Sequence, residues 1–501
     1  MYLILDTCYT ESMFERIYTN ATILGDKLAI LNGNKKISYS DLKRELDQKQ
    51  DWYKQQFKNS NVGVVAGNLW ETVVVILLAA QCNSRVVLLG DSLKKNELDY
   101  YIQNLLIDTV FITEDKMKEF CISQEGVVSE TGLNRLKCIQ GNKSHLENVG
   151  EDVVYKEKDY IIQLTSGSEG IRKAAARSEE SLKYEIVNTC KSVDFSSDNV
   201  FLTIPPISHS YGLVLGLLLP LYMGKTVILL ETFDPNLIET YLIEHRIDVL
   251  LAVPFMYHIL NRRILKNKGK ISLAKCFSAG GLLDEETAKE FYGITGINIW
   301  NDYGSTETGV ICLEMEGKSN RVGKVVEGVK IAVLDPEDND VAINKRGVIH
   351  VASESFGRGY VFPYSLNKEK FINGFYCTGD VGWIDEGGVV SIEGRQDDFF
   401  IVGGEKTSAT EIKNNILLMN DIFDVEVVSE KKLYIGDVIV AYIVKNKGSY
   451  ITEKDVINHC DEIMEKYKVP KKIYFVQEIP KNTNGKVLRK HLTDLYTKEN
   501  N

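Results

Sequence analysis

Between Ile161 and Ser178 the sequence IIQLTSGSEGIRKAAARS runs from an apolar strand into a loop of Ser, Thr and Gly that closes on Arg172, Lys173 and Arg177. Backbone N–H groups of such a turn form a nest that solvates an anion, and hydroxyl and ammonium groups add donors. Thr165, Ser166, Gly167, Ser168, Gly170 and Lys173 are therefore candidate phosphate-binding residues. The Walker spacing G-x-x-x-x-G-K-[ST] is not met, because Gly170 and Lys173 lie too far apart and Ala174 follows the lysine, which disfavours a simple P-loop NTPase. Taken alone, the segment also fits a plain strand-to-helix turn with Ser178 as N-cap. Glu169 is the misfit. Either it turns to solvent and pairs with Arg172 or Arg177, which is the expectation, or it faces the anion and weakens phosphate binding.

Further strings carry side chains suited to nucleotide chemistry. NIWNDYGSTETGV places Asn301, Asp302, Tyr303, Gly304, Thr306 and Glu307 after a short strand. An aromatic face suits a purine, and a carboxylate suits a hard cation bridging phosphates. GFYCTGD brings Asp380, and IEGRQDDFFIVGGEK brings Arg395, Asp397, Gly403 and Gly404. Near the C-terminus EIPKNTNGKVLRK holds Lys486, a point charge on a long flexible stem. Each has a plain counterpart: an exposed turn, a surface Asp-Asp pair, or a solvated basic tail with Lys481, Arg489 and Lys490.

These residues need a scaffold, and the chain offers one. At 501 residues it exceeds one ordinary core, so two or more domains are expected. The composition, 44% apolar and 26% charged with nine prolines, is globular. A formal charge of −11 argues against a general nucleic-acid binder, which needs a basic surface to displace counterions. Nine cysteines without a C-x-x-C pair suit a reducing cytoplasm and no structural zinc. The start lacks a basic leader, and YGLVLGLLLPLYMG is too short and broken to span a bilayer, so it reads as a buried helix. Apolar runs alternate with amphipathic stretches, as in NVGVVAG then LWETVVVILLAAQC, or DVLLAVP then FMYHILNRRIL. That is α/β patterning with parallel sheets covered on both faces. Near residue 330 the texture changes to short strands and turns, an antiparallel β subdomain. After Arg395 comes an α+β tail, FDVEVVSE, DVIVAYIVK, KDVINHCDEIMEKY and KKIYFVQEIP. The expected division is a large domain over 1–395 and a small mobile domain over 396–501.

From ISYSDL near residue 37 to NGKVLRKHL near 492, the chain resembles the adenylate-forming superfamily of acyl-CoA and aryl-CoA ligases, nonribosomal-peptide adenylation domains and luciferases. The family loop reads Thr-Ser-Gly-Ser/Thr-Thr-Gly-x-Pro-Lys-Gly; this chain departs from it at Glu169, Arg172 and Ala174. The resemblance assigns Tyr303 to stacking on adenine, Thr306 to the α-phosphate and Glu307 to Mg²⁺. It assigns Asp380 to the ribose hydroxyls, Arg395 to ribose or phosphate, and Asp397 to a hinge. Gly403 and Gly404 fall in the loop that meets the thiol acceptor, and Lys486 bridges the acid's carboxylate and the α-phosphate. What it implies is an ATP- and Mg²⁺-dependent ligase that makes an acyl-AMP and passes the acyl group to CoA or to a carrier-protein pantetheine.

PPISHSYGL resembles the family segment that places His209 at the edge of the acid pocket, with Ser210 where amino-acid-activating members have an aspartate. An unpaired buried ammonium is costly, so an aryl or fatty acid is expected rather than an α-amino acid. Ser278, Ala279, Gly280 and Gly281 are the small residues of the pocket wall. Two rivals stand beside the ligase: a non-catalytic nucleotide or acyl-adenylate binder, which Glu169 favours, and a luciferase-like oxygenase, for which no residue speaks.

Overall fold

The computed structural model describes residues 11–122, 127–129, 132–140, 152–165, 172–197, 199–264, 271–281, 283–318, 321–335, 339–396, 399–402, 405–432, 436–481, 487–489 and 492. The chain divides into two compact units, one of Met1–Ser166, Arg172–Ile331 and Val351–Tyr376, the other chiefly of Ala332–His350 and Cys377–Asn501.

In the first unit, strand β1 (Asp159–Thr165) pairs antiparallel with β2 (Lys173–Ser178), so that Thr165 faces Lys173 across the loop that separates them. The segment is thus a strand, a loop and a second strand, not a strand-to-helix turn. The helix begins one element later: α1 (Glu179–Ser192) is capped by Ser178, whose hydroxyl accepts from the Ser181 N–H. β1 and β2 belong to an eight-stranded sheet in which β1 pairs parallel with Arg85–Leu88, which in turn pairs parallel with Asn61–Val65.

A second sheet of this unit has a parallel centre, Thr226–Leu229, Val200–Thr203, Val249–Ala252, β3 (Lys275–Ser278) and β4 (Ile299–Ser305). β5 (Gly309–Glu314) folds back antiparallel on β4. Both faces are covered, which is why these strands read as unbroken apolar runs. Leu202, Leu250, Cys276 and Ile299 pack on one side with Ile238, Tyr257 and Phe291. Phe201, Val249, Leu251 and Phe277 pack on the other with Leu182, Ile186 and Leu217. The chain then returns to the first sheet, where β6 (Gly359–Phe362) pairs antiparallel with β2, Tyr360 opposite Ala175.

The apolar run after His209 is buried, as expected, but it is not one regular helix. Ser210–Leu213 and Leu219–Tyr222 are α-helical and Val214–Leu218 between them is a π turn. Pro220 has no N–H to give the carbonyl of Gly216, and the hydroxyl of Thr203 supplies that bond instead at 2.7 Å. Among the described residues no helix is long and apolar enough to cross a membrane.

The antiparallel pair β7 (Phe375–Ile384) and β8 (Val389–Arg395) lies in the second unit from Cys377 onward. That unit also holds a five-stranded sheet built on Ile422–Lys432 and Gly436–Lys445. Ile412, Ile416, Val456 and Cys460, from helices Ala409–Leu417 and Glu453–Ile463, close a core with Val425, Val427, Ile439 and Ile443 of that sheet.

Candidate active site

The antiparallel pairing of β1 and β2 fixes the two ends of the phosphate loop, Thr165 and Lys173, opposite each other. Ser166, Gly167, Ser168, Glu169 and Gly170 lie outside the described residues. The Lys173 ammonium sits 5.5 Å above the ring of Tyr360, a cation–π contact. Arg172 is tied down through its backbone, which exchanges hydrogen bonds with the Tyr101 hydroxyl at 3.2 and 3.3 Å, and its guanidinium lies 3.8 Å from Glu97.

Arg177 departs from expectation. It is fully buried, its Nη2 bonded to Glu185 Oε2 at 2.7 Å. The same guanidinium reaches Ser181 Oγ and the carbonyls of Ser181, Thr306 and Ser355 at 2.9 to 3.4 Å. It is not a loop cation, and it is not available to Glu169; of the two countercharges expected there only Arg172 stays accessible. The missed signal was local: an arginine that follows three buried alanines in the strand KAAARS is itself enclosed and must find a buried carboxylate.

Through Thr306 O, Arg177 anchors the turn between β4 and β5. Ser305 N–H donates to Thr308 Oγ1, Gly357 N–H donates to Glu307 O at 2.7 Å, and Ser355 Oγ donates to Thr308 O. Gly309 has φ +71°, and a Cβ there would meet the Glu185 carboxyl carbon at 2.4 Å, so the turn needs glycine. Gly304 likewise leaves no room, with the Gly309 carbonyl oxygen 2.4 Å from where its Cβ would be. Glu307 is buried, and its Oε1 accepts from the Tyr360 hydroxyl at 2.6 Å. Tyr360 in turn lies 3.2 Å from the Tyr376 hydroxyl. Neither tyrosine was singled out from sequence, since both sit in strands remote from the motif they serve.

Among the described residues no cluster of three His, Cys, Asp or Glu side chains could hold a metal alone. The buried Glu307 carboxylate, with one oxygen that accepts no hydrogen bond from the described residues, fits Mg²⁺, which keeps water and phosphate oxygens for most of its shell and takes one or two protein carboxylates.

At the acid side, His209 precedes the short helix and is half-buried; desolvation, and then the charge of Arg172, push its pKa down to about 4. Its imidazole is neutral at pH 7. Ser210 opens that helix, and the Tyr211 hydroxyl donates to Phe277 O at 2.8 Å. Ser278 ends β3 and faces Asn301 of β4 in register; Ser278 Oγ and Asn301 Oδ1 are buried without a hydrogen-bond partner. Beyond Ala279, a Cβ on Gly280 or Gly281 would find its nearest neighbour no closer than 3.8 Å, so the wall is open there. Asp302 is pushed up to about 8, by burial first and then by Glu185. Tyr303 follows it on β4, half-buried.

In the second unit, Asp380 and Arg395 face each other across β7 and β8, Arg395 Nη1 donating to Asp380 Oδ1 at 3.0 Å and Nη2 to Thr378 O at 3.2 Å. Asp397, Gly403, Gly404 and Lys486 lie outside the described residues.

The family model of AMP-binding enzymes matches residues 18–361, and that of the AMP-binding enzyme C-terminal domain matches residues 411–486. A 2-succinylbenzoate–CoA ligase of Bacillus cytotoxicus is 27% identical over 496 residues, covering 97% of this chain and 99% of its own. The ATP-bound structure of MatB from Rhodopseudomonas palustris superposes with a TM-score of 0.84 at 26% identity, over 98% of this chain and 99% of that one. The O-succinylbenzoate coenzyme A synthetase of Bacillus subtilis, in complex with AMP, shares the fold with a TM-score of 0.81 at 19% identity, over 97% and 98%. With a glycine-dependent turn whose Glu307 is buried and bonded to Tyr360 of β6, and a family match across most of its length, the chain belongs to the AMP-binding enzymes.

Proposed function

We propose that the chain is an AMP-forming acid–thiol ligase acting on an aryl or fatty carboxylic acid. The observation that carries this is the single ring of Tyr360, which holds Lys173 of the phosphate loop on its face and Glu307 on its hydroxyl. That brings a phosphate-binding lysine and a cation-binding carboxylate to one place in the first unit. The kinship with ligases of 2-succinylbenzoate supports the same reading.

In the first step a carboxylate oxygen of the acid attacks the α-phosphorus of ATP, the bond from that phosphorus to the bridging oxygen breaks, and pyrophosphate leaves. In the second a thiolate attacks the acyl carbon and AMP leaves. A carboxylate attacking an anion needs charge neutralisation and in-line positioning rather than a base. Thr165, Ser166, Gly167, Ser168, Gly170 and Lys173 hold the phosphates; Thr306 and Lys486 meet the α-phosphate. Mg²⁺ on Glu307, when bound, would offset phosphate charge. Tyr303 stacks on adenine between Asn301, Asp302 and Gly304, while Asp380, oriented by Arg395, takes the ribose. The small domain, from residue 396 with Asp397 as hinge, carries Lys486 and the loop of Gly403 and Gly404.

The acid lies against His209, Ser210, Ser278, Ala279, Gly280 and Gly281. His209, neutral at pH 7, and Ser210 offer that pocket no carboxylate to pair with an α-ammonium group, which favours an uncharged ring or chain. The acceptor is CoA or a carrier-protein pantetheine, and the cysteine pattern suits the cytoplasm. ATP–pyrophosphate exchange over a panel of aryl, fatty and α-amino acids tests the reading. Exchange with an aryl or fatty acid is expected. ATP binding with no exchange for any acid would make the protein a non-catalytic binder, and exchange confined to α-amino acids would refute the assignment of the pocket.

A further inference from the structure

We propose that Tyr360 is the positioning residue that sets how Glu307 receives the metal ion, an inference that rests on the ligase reading above. Tyr360 is 2% exposed and Glu307 6%. The phenol donates its one proton to Glu307 Oε1 at 2.6 Å, so in the contact with Tyr376 at 3.2 Å Tyr360 accepts and Tyr376 donates. The result is a two-hydroxyl chain ending on a carboxylate. It fixes the torsion of that carboxylate and leaves Oε2, which takes no hydrogen bond from the described residues, as the oxygen for a cation.

The ring itself is held from three directions. Its backbone pairs with β2 opposite Ala175, Phe371 packs edge-on at 6.0 Å, and the Lys173 ammonium covers one face. A cation over the face withdraws electron density from the phenol and makes its O–H a better donor. Lys173, Tyr360 and Glu307 therefore behave as one unit, through which the strand leaving the phosphate loop holds the metal carboxylate. Groups bonded to a metal ligand but not to the metal orient that ligand, and their loss costs about 10–100-fold in metal affinity.

Tyr360→Phe deletes the hydroxyl while keeping the ring, its Phe371 contact and its place under Lys173. ATP binding is measured by calorimetry on the full chain at a series of Mg²⁺ concentrations with no acid present. The Mg²⁺ concentration that half-saturates the enhancement of ATP binding is expected to rise about 10–100-fold, with binding in chelator unchanged. Tyr376→Phe, which loosens the chain one step further out, is expected to give a smaller shift in the same direction. A general loosening of the site would instead weaken binding in chelator as well, and that result overturns the proposal. Glu307→Gln separates the two levels. If it too leaves the Mg²⁺ dependence intact, the assignment of the metal to Glu307 fails; if it abolishes that dependence while Tyr360→Phe titrates like the parent, the role of Tyr360 alone fails.

Discussion

Arg177→Met should destabilise the first unit by about 3–5 kcal/mol, the cost of leaving a buried charge without its partner. Both groups are enclosed, Arg177 at 0% and Glu185 at 3% side-chain exposure, and they meet at 2.7 Å. The Glu185 carboxyl cannot swing toward Gly309, whose missing Cβ would already sit 2.4 Å from it. Against a total stability of about 5–15 kcal/mol this is a large fraction. At an m-value of about 2–3 kcal/mol/M it moves the urea midpoint down by roughly 1–2 M. Glu185→Leu should cost a similar amount, by leaving the guanidinium unpaired. The double variant Arg177→Met, Glu185→Leu removes both charges, and apolar replacement of a buried pair is often neutral or better. The carbonyls of Thr306 and Ser355 still lose their donor, at about 1 kcal/mol each, so the double variant should sit near 2 kcal/mol below the parent, well above the sum of the singles. Urea unfolding followed by tryptophan fluorescence measures all four proteins. A loss under about 1 kcal/mol for either single variant, or losses that simply add, would refute a coupled buried pair.

Acid should destabilise the fold through His209. Its folded pKa, about 4, lies below the unfolded value of 6.5, so as pH falls between them the unfolded chain takes up a proton that the folded chain refuses, and stability drops by up to about 3 kcal/mol. His209→Gln should flatten urea midpoints between pH 7 and 4.5; an unchanged slope would place the titrating group elsewhere. Lys486→Ala should abolish acyl-AMP formation while acylation from preformed acyl-AMP continues, and near-normal pyrophosphate exchange would remove Lys486 from the first step. Asp397→Pro fixes φ where a hinge must change it, so one half-reaction should fall and the other survive; equal loss of both would mark Asp397 as structural.

Much of the chain could be read from local pattern. The unbroken apolar runs NVGVV and RVVL announce parallel strands buried on both faces, and Ser178 announces the start of α1, because burial period and capping involve only near neighbours in sequence. The motif around Tyr303 to Glu307 carries its own turn, including the glycine at 309 that the close approach of Glu185 requires. What the sequence left open was which side chains meet across elements. Arg177 looks like one more loop cation until β2 is placed inside a sheet with α1 across it, where Glu185 neutralises it. Tyr360 gains its meaning from β6 pairing with β2, which carries it to a carboxylate 53 residues earlier in the chain. His209 carries no sign of its depressed pKa in its neighbours; burial and the charge of Arg172 create it. Strand order and packing set those distances, and because a buried charge is tolerated only with a partner, tertiary structure alone decided which polar groups became the site and which became its supports.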